Sequence, residues 1–231
     1  MSALAARVRA DEQMDDPALD PDVYARVLAD LERVNAWTLA ARPTLGFLER
    51  AARAMPAFRL LDVGFGHGDM LRRIARWAKK RGIAVDLVGI DLNPLSAAVA
   101  RAATPRAWPV EYRTGDYRDV AGPIDFVISS LVAHHMTDEE LIAFLRFMEK
   151  RADKGWLVND LHRHIFAYRG FPLLARLIGA HRIVREDGQL SIARAFRPAD
   201  WRDLLERAGI AGGAARIVRR FPFRLCVERL R

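Results

Sequence analysis

Three glycines spaced two apart, Gly64, Gly66 and Gly68, follow Asp62 at the end of the apolar run Leu60-Leu61-Asp62-Val63. Glycines in this pattern let the backbone turn tightly and bring its amides close to a ligand. A helix starting at about Asp69 points its amide-rich end to the same place. Asp91 lies 23 residues beyond Gly68, closing Val88-Gly89-Ile90. A carboxylate there can accept hydrogen bonds from two adjacent hydroxyls, as on a ribose. Gly115-Asp116-Tyr117 then sets a third acid beside an aromatic ring. The spacing is not G-x-G-x-x-G, since the third glycine comes one residue early, and no P-loop lysine follows. A second group of residues offers proton chemistry. Four of the six histidines, His134, His135, His162 and His164, fall just past two apolar runs, Phe126-Val127-Ile128 and Trp156-Leu157-Val158. An imidazole placed there can take a proton from a hydroxyl or phenol.

Alternating strand and helix signals position these residues. Strands are expected at about 59–63, 86–91, 110–114, 125–129 and 155–160, with helices at about 69–81, 94–103, 138–150 and 198–208 between and after them. Two further strands, about 214–221 and 223–228, are joined by a tight turn at Pro222. Strands that read as continuous apolar runs suit a parallel sheet covered on both faces. The pattern predicts an α/β fold, a doubly wound, seven-stranded, mostly parallel sheet with one antiparallel edge strand. Such a sheet binds ligands at the carboxyl ends of its strands. Residues 1–20 are expected to be a flexible N-terminus, with the acidic cluster Asp11, Glu12, Asp15 and Asp16 before Pro17. Residues 21–57 form an N-terminal helical cover, with Asp20 as N-cap and Pro21 in the first turn. Asn35, Trp37 and Arg42 are its candidates for reaching the site. Residues 58–231 form the main domain. An insert at about 161–195, helical from Arg163 to Ala180 but broken near Gly170 and Pro172, roofs an apolar pocket or covers a sheet edge.

Composition sets limits. Hydrophobic residues make up 51% of the 231-residue chain and charged residues 29%, as in soluble globular proteins. No apolar run approaches the ~20 residues of a membrane span. The first ten residues have no secretory pattern, and the single Cys226 allows no intrachain disulfide. A cytoplasmic location is the expectation. The net charge of +8 is concentrated in residues 161–231, with 15 basic and 6 acidic residues. Basic residues are not clustered, so a solvated surface is preferred to a nucleic-acid face.

Asp62, Gly64, Gly66 and Gly68 together resemble the first motif of class I S-adenosylmethionine-dependent methyltransferases, of the small-molecule, quinone- and polyketide-pathway group. Phe65 stands where many members have cysteine. The resemblance implies the Rossmann-like methyltransferase fold and S-adenosylmethionine as cosubstrate. It implies a cofactor wall of Asp62, Gly64, Gly66, Gly68, Asp91, Leu92, Asp116, Tyr117 and Ser130. In that set Asp91 takes the ribose hydroxyls and Asp116 the adenine amine. His67 is read as a spacer. The stretch from Asp125 to Met136 resembles the strand-four motif of enzymes acting on small molecules. It lacks the Asn/Asp-Pro-Pro-aromatic signature of enzymes that methylate exocyclic or amide nitrogens, which argues against a nucleobase N-methyltransferase. The implied reaction is methyl transfer to a phenolic, quinol or polyketide acceptor, at oxygen or carbon. His134, His135 and His162 are its candidate catalytic bases. No metal is expected, because the sulfonium methyl is already activated. An RNA or protein methyltransferase, or a non-catalytic cofactor-binding partner, are the alternatives left open.

Overall fold

The computed structural model describes residues 4–231. Helix α1 (Pro21–Trp37) opens on Asp20, whose side chain accepts from the amides of Asp22 and Val23, and helix α2 (Ala41–Ala51) follows. The alternating body is β1 (Ala57–Val63), α3 (Asp69–Arg81), β2 (Ala84–Asp91), α4 (Pro94–Ala102), β3 (Val110–Thr114), β4 (Ile124–Ser130), α5 (Asp138–Arg151) and β5 (Ala152–Leu161). Then come α6 (Ile165–Leu177), α7 (Arg182–Arg194), α8 (Pro198–Arg207) and the hairpin β6 (Arg216–Arg220) and β7 (Arg224–Leu230). The seven strands lie in the order β3-β2-β1-β4-β5-β7-β6. The first five in that order, β3 to β5, are parallel, and β7 runs antiparallel to both β5 and β6. The order reverses between β1 and β4, which opens a crevice at their carboxyl ends.

Both faces of this sheet are covered. Leu61, Val63, Val88, Val127, Trp156 and Val158 pack with Phe144, Leu145 and Trp201 of α5 and α8. Leu60, Leu87, Phe126, Ile128 and Leu157 pack with Phe47, Leu71 and Ile74 of α2 and α3. Burial on both faces explains why the strands read as unbroken apolar runs. A smaller third cluster joins Val27 and Val34 of α1 to Ala175, Ile183 and Val184 of α6 and α7. No helix among the described residues is long and apolar enough to cross a membrane.

Three features depart from the sequence expectation. The antiparallel strand is not at the edge: β7 lies inside, and β6 takes the edge. Leu225, Cys226 and Val227 are fully buried, whereas β6 carries Arg216, Arg219 and Arg220, charges that suit an edge with one unpaired side. The insert holds two helices instead of one broken helix: α6 runs through Gly170 and Pro172, and α7 follows after Gly179. The expected flexible segment 1–20 is packed in its described part. Val8 N donates to Ala193 O at 3.2 Å, Arg7 Nη1 to Asp138 at 2.8 Å, and Met14 N to Asp187 at 2.9 Å. These partners lie far along the sequence, so no local pattern announces them. Residues 1–3 of that expectation lie outside the described residues.

Candidate active site

A cavity of about 1350 Å³ opens over the carboxyl ends of the central strands, between the sheet and the cluster of α1, α6 and α7. This exceeds the ~300–1,000 Å³ of ordinary small-ligand pockets, and gives room for two reactants together. Asp62, Gly64, Gly66, Asp91, Leu92, Tyr117 and Ser130, expected as the cofactor wall, all line it. The glycines turn with φ of +76° at Gly64 and +51° at Gly66. A side chain on Gly64 would meet Val132 Cγ2 at 2.4 Å. The Gly66 amide donates to Asp91 Oδ2 at 2.9 Å, and the Asn93 amide to Asp91 Oδ1 at 2.9 Å. Asp91 therefore braces the turn, with Ser96 as a further hydrogen-bond partner, and a carboxylate has room for about four hydrogen bonds in all. Burial pushes its carboxyl above the usual range.

Two buried atoms on this wall lack any partner, Asp62 Oδ1 and Ser130 Oγ. Burial first, and then the neighbouring Asp69 and Asp91, push Asp62 well above the usual carboxylate range. An unpaired buried carboxylate costs free energy unless a donor or cation meets it. Glu12, Asp15, Glu32, Asp69 and Asp91 add to the acidic lining, although the chain as a whole is basic. The wall is thus built for a ligand carrying positive charge and hydroxyls.

Two expected cofactor residues lie off the wall. Gly68 has φ +76° and caps α3, and a Cβ there would sit 2.4 Å from Tyr112 Oη. Its lack of a side chain serves packing against β3. Gly68→Ala is expected to lower stability by about 2 kcal/mol through this clash and the left-handed backbone, measured by urea unfolding. Asp116 is turned to its own neighbour, accepting from Arg118 N at 2.8 Å and Arg118 Nε at 2.9 Å. Gly115 takes its place on the wall. His67 lines the cavity and is held by Glu32, with Nδ1 at 2.6 Å from Glu32 Oε2. Asn35 and Trp37 also line the cavity, but Arg42 does not.

The histidines divide by strand alternation. Asn159 and Leu161 of β5 face the cavity, so Asp160 and His162, on the opposite parity, do not. His162 instead packs beside His164, ring centroids 5.4 Å apart, and burial lowers its pKa to about 4. His162, expected as a catalytic base, is thus not among the residues that line the cavity. His164 caps α6 through Phe166 N. His134 and His135 do line the cavity, on a short turn after β4.

Each of these two rings is aimed by a carboxylate. His134 Nδ1 lies 2.7 Å from Asp160 Oδ1, and His135 Nδ1 lies 2.9 Å from Asp15 Oδ2. A carboxylate on Nδ1 favours the Nδ1–H tautomer and leaves the lone pair on Nε2. Both Nε2 atoms turn toward Glu12, at 3.7 and 3.8 Å. Glu12 is 4% exposed, accepts from Ser191 Oγ at 2.8 Å, and lies 3.8 Å from Arg194 Nη1. Burial pushes its pKa up to about 7, against the opposing pull of His135 and Arg194. Glu12, His134 and His135 also bring three ligand-type atoms within 4.8 Å of one another. Glu12 and Asp15 were legible only as an acidic cluster ahead of the first helix; nothing local placed them on histidines more than a hundred residues away.

A carboxyl whose folded pKa is raised binds a proton in the native state that the unfolded chain has released. Stability therefore falls as pH rises from about 4.5 to about 7. Glu12→Gln is expected to flatten that fall, so that the variant gains on the native protein in urea unfolding at pH 8 relative to pH 5.

The sheet order, the glycine turn at the switch point and the acid closing β2 define the class I methyltransferase fold. Residues 60–155 match the family model described as a methyltransferase domain. Among solved structures, the plantazolicin methyltransferase BpumL in complex with SAH is similar at 16% identity and a TM-score of 0.65, over 89% of this chain and 76% of that one. Magnesium protoporphyrin IX methyltransferase (ChlM) from Synechocystis PCC 6803 with bound SAH is similar at 18% identity and a TM-score of 0.55, over 96% and 90%. PigF with SAH is similar at 17% identity and a TM-score of 0.64, over 96% of this chain and 62% of that one. No curated protein sequence matches the chain.

Proposed function

We propose that this protein transfers the methyl group of S-adenosylmethionine to a small acceptor carrying an ionisable hydroxyl or an electron-rich ring. The observation that carries this reading is the pair of unpartnered buried atoms, Asp62 Oδ1 and Ser130 Oγ, flanking the Gly64–Gly66 turn above a braced Asp91. S-adenosylmethionine brings an ammonium, a sulfonium and two ribose hydroxyls, which match the acidic wall and the carboxylate of Asp91. Tyr117 and Leu92 flank the place for the adenine ring. The similar structures with bound SAH, the plantazolicin and magnesium protoporphyrin IX methyltransferases among them, support the same class of reaction.

The sulfonium supplies an activated methyl group, and the chain supplies alignment and exclusion of water. His135 is the base for an acceptor hydroxyl. It lines the cavity, its Nδ1 is fixed by Asp15, and its side chain is 25% exposed, whereas that of His134 is only 3% exposed. If the acceptor reacts at carbon, the same ring receives the displaced proton. Titration calorimetry with S-adenosylhomocysteine, followed by transfer of labelled methyl to a panel of phenols and quinols, tests the reading. Failure to bind S-adenosylhomocysteine would remove it. Binding without transfer to any small molecule would leave a cofactor-binding protein that methylates none of the acceptors tested.

A further inference from the structure

One charged group on the cavity wall has no part in the scheme above. Arg224 opens β7 beside Leu161 of β5, is 3% exposed, and lines the cavity. Its Nη2 donates to Thr38 Oγ1 at 3.1 Å, and its buried Nη1 has no partner. Among the described residues no carboxylate lies within 4.0 Å of it. Asp160 and Asp69 act on it only at longer range, and both have other partners, His134 at 2.7 Å and Arg73 at 3.7 Å. A buried guanidinium left unpaired is among the most costly arrangements a fold can keep. Arginine does not escape that cost by losing its proton at physiological pH. Its planar fork is shaped for an oxyanion, above all a carboxylate. The neighbouring wall is apolar, with Phe223, Leu161 and Phe166.

We infer that Arg224 is the receptor for an anionic group on the acceptor, which would make the acceptor an organic acid with an apolar or aromatic body. Thr38 orients the guanidinium, and Nη1 receives the oxyanion. The acceptor part of this inference rests on reading the cavity as a methyl-transfer site. The other carboxylate such a site would hold is the one on the methionine end of the cosubstrate, and the test separates the two. The position of Arg224 favours the acceptor: it stands at the β5–β7 side of the cavity, whereas the unpartnered Asp62 Oδ1 stands at β1.

The full-length protein and Arg224→Met are titrated with S-adenosylhomocysteine, and separately with 2-naphthoate and its neutral match 2-naphthamide. The native protein is expected to bind naphthoate at least tenfold more tightly than naphthamide. Arg224→Met is expected to lose that preference while keeping S-adenosylhomocysteine affinity within about twofold. Without ligand the variant should melt at a higher temperature than the native protein, because an unpaired buried charge has been removed. Naphthoate should raise the melting temperature of the native protein only. Equal affinities for the two probes, or a preference that survives in Arg224→Met, would overturn the inference. So would a tenfold loss of S-adenosylhomocysteine affinity, which would give Arg224 to the cosubstrate. If Arg224→Met does not fold, Thr38→Val removes the bond that orients the guanidinium and should reduce the naphthoate preference severalfold; an unchanged preference there counts against the inference. A native protein that discriminates the probes but does not bind S-adenosylhomocysteine would sink the methyl-transfer reading and leave the anion site standing.

Discussion

Replacing Asp91 with alanine is expected to weaken S-adenosylhomocysteine binding by about a hundredfold, read by titration calorimetry. Two charge-assisted hydrogen bonds to the ribose are at stake, each worth ~1.5–3 kcal/mol, and ~3 kcal/mol in all is about two decades of affinity. The bracing of the turn is lost as well, since Asp91 Oδ2 holds the Gly66 amide and Oδ1 the Asn93 amide. Asp91→Asn separates the two effects. Its amide oxygen can still hold one backbone amide, so the turn should survive in part, while acceptance from two hydroxyls is lost. The asparagine variant is therefore expected to fall between the native protein and the alanine variant. An alanine variant that binds as the native protein does would take Asp91 out of the site. A fold measurement by circular dichroism on the same samples shows whether the loss is local.

Removing the imidazole of His135 has the opposite profile. His135→Ala is expected to leave S-adenosylhomocysteine affinity unchanged and to slow methyl transfer by about 10² to 10⁴, the range of a positioned general base. The separation follows from geometry. His135 follows β4 on a turn braced by Asp15 from the N-terminal segment, whereas the Gly64–Gly66 turn follows β1. Turnover of labelled methyl, compared with affinity measured independently, reads the two quantities apart. A variant that loses cosubstrate affinity with its fold intact would move His135 into the binding wall. Asp15→Asn should give a smaller loss of rate in the same assay, because it leaves the ring in place but weakens the hold on its tautomer.

The two variants probe parts of the molecule that differ in how far they could be read without a structure. Asp62, Gly64, Gly66 and Asp91 were legible because their meaning is local. A glycine turn needs left-handed backbone at fixed positions, and a parallel strand buried on both faces leaves a continuous apolar run that ends where the ligand sits. Strand edges differed from expectation by at most about three residues at each end. Gly68 and Asp116 show where that logic stops. The same glycine and acid types occur at those positions, but one packs under Tyr112 and the other holds Arg118. A residue type does not state which way it faces.

The histidine question was decided by register. His134, His135 and His162 carry the same chemistry in the sequence, yet Asn159 and Leu161 take the cavity side of β5 and His162 is not among the lining residues. The N-terminal residues were decided by docking. Glu12 and Asp15 sit in a segment without periodicity, and only its packing on α7 brings them to His134 and His135. Arg224 needed both, a hairpin that places β7 next to β5 and a helix α1 that brings Thr38 to it. By itself, then, the sequence determined the parallel sheet, the glycine turn and the acid that braces it. These rest on backbone conformation and short-range spacing. The tertiary structure alone decided the wall opposite, where Glu12, Asp15, His135 and Arg224 come to line one cavity from across some two hundred residues of chain. Strand register and helix docking set that wall, and neither leaves a periodic trace in the residues they bring together.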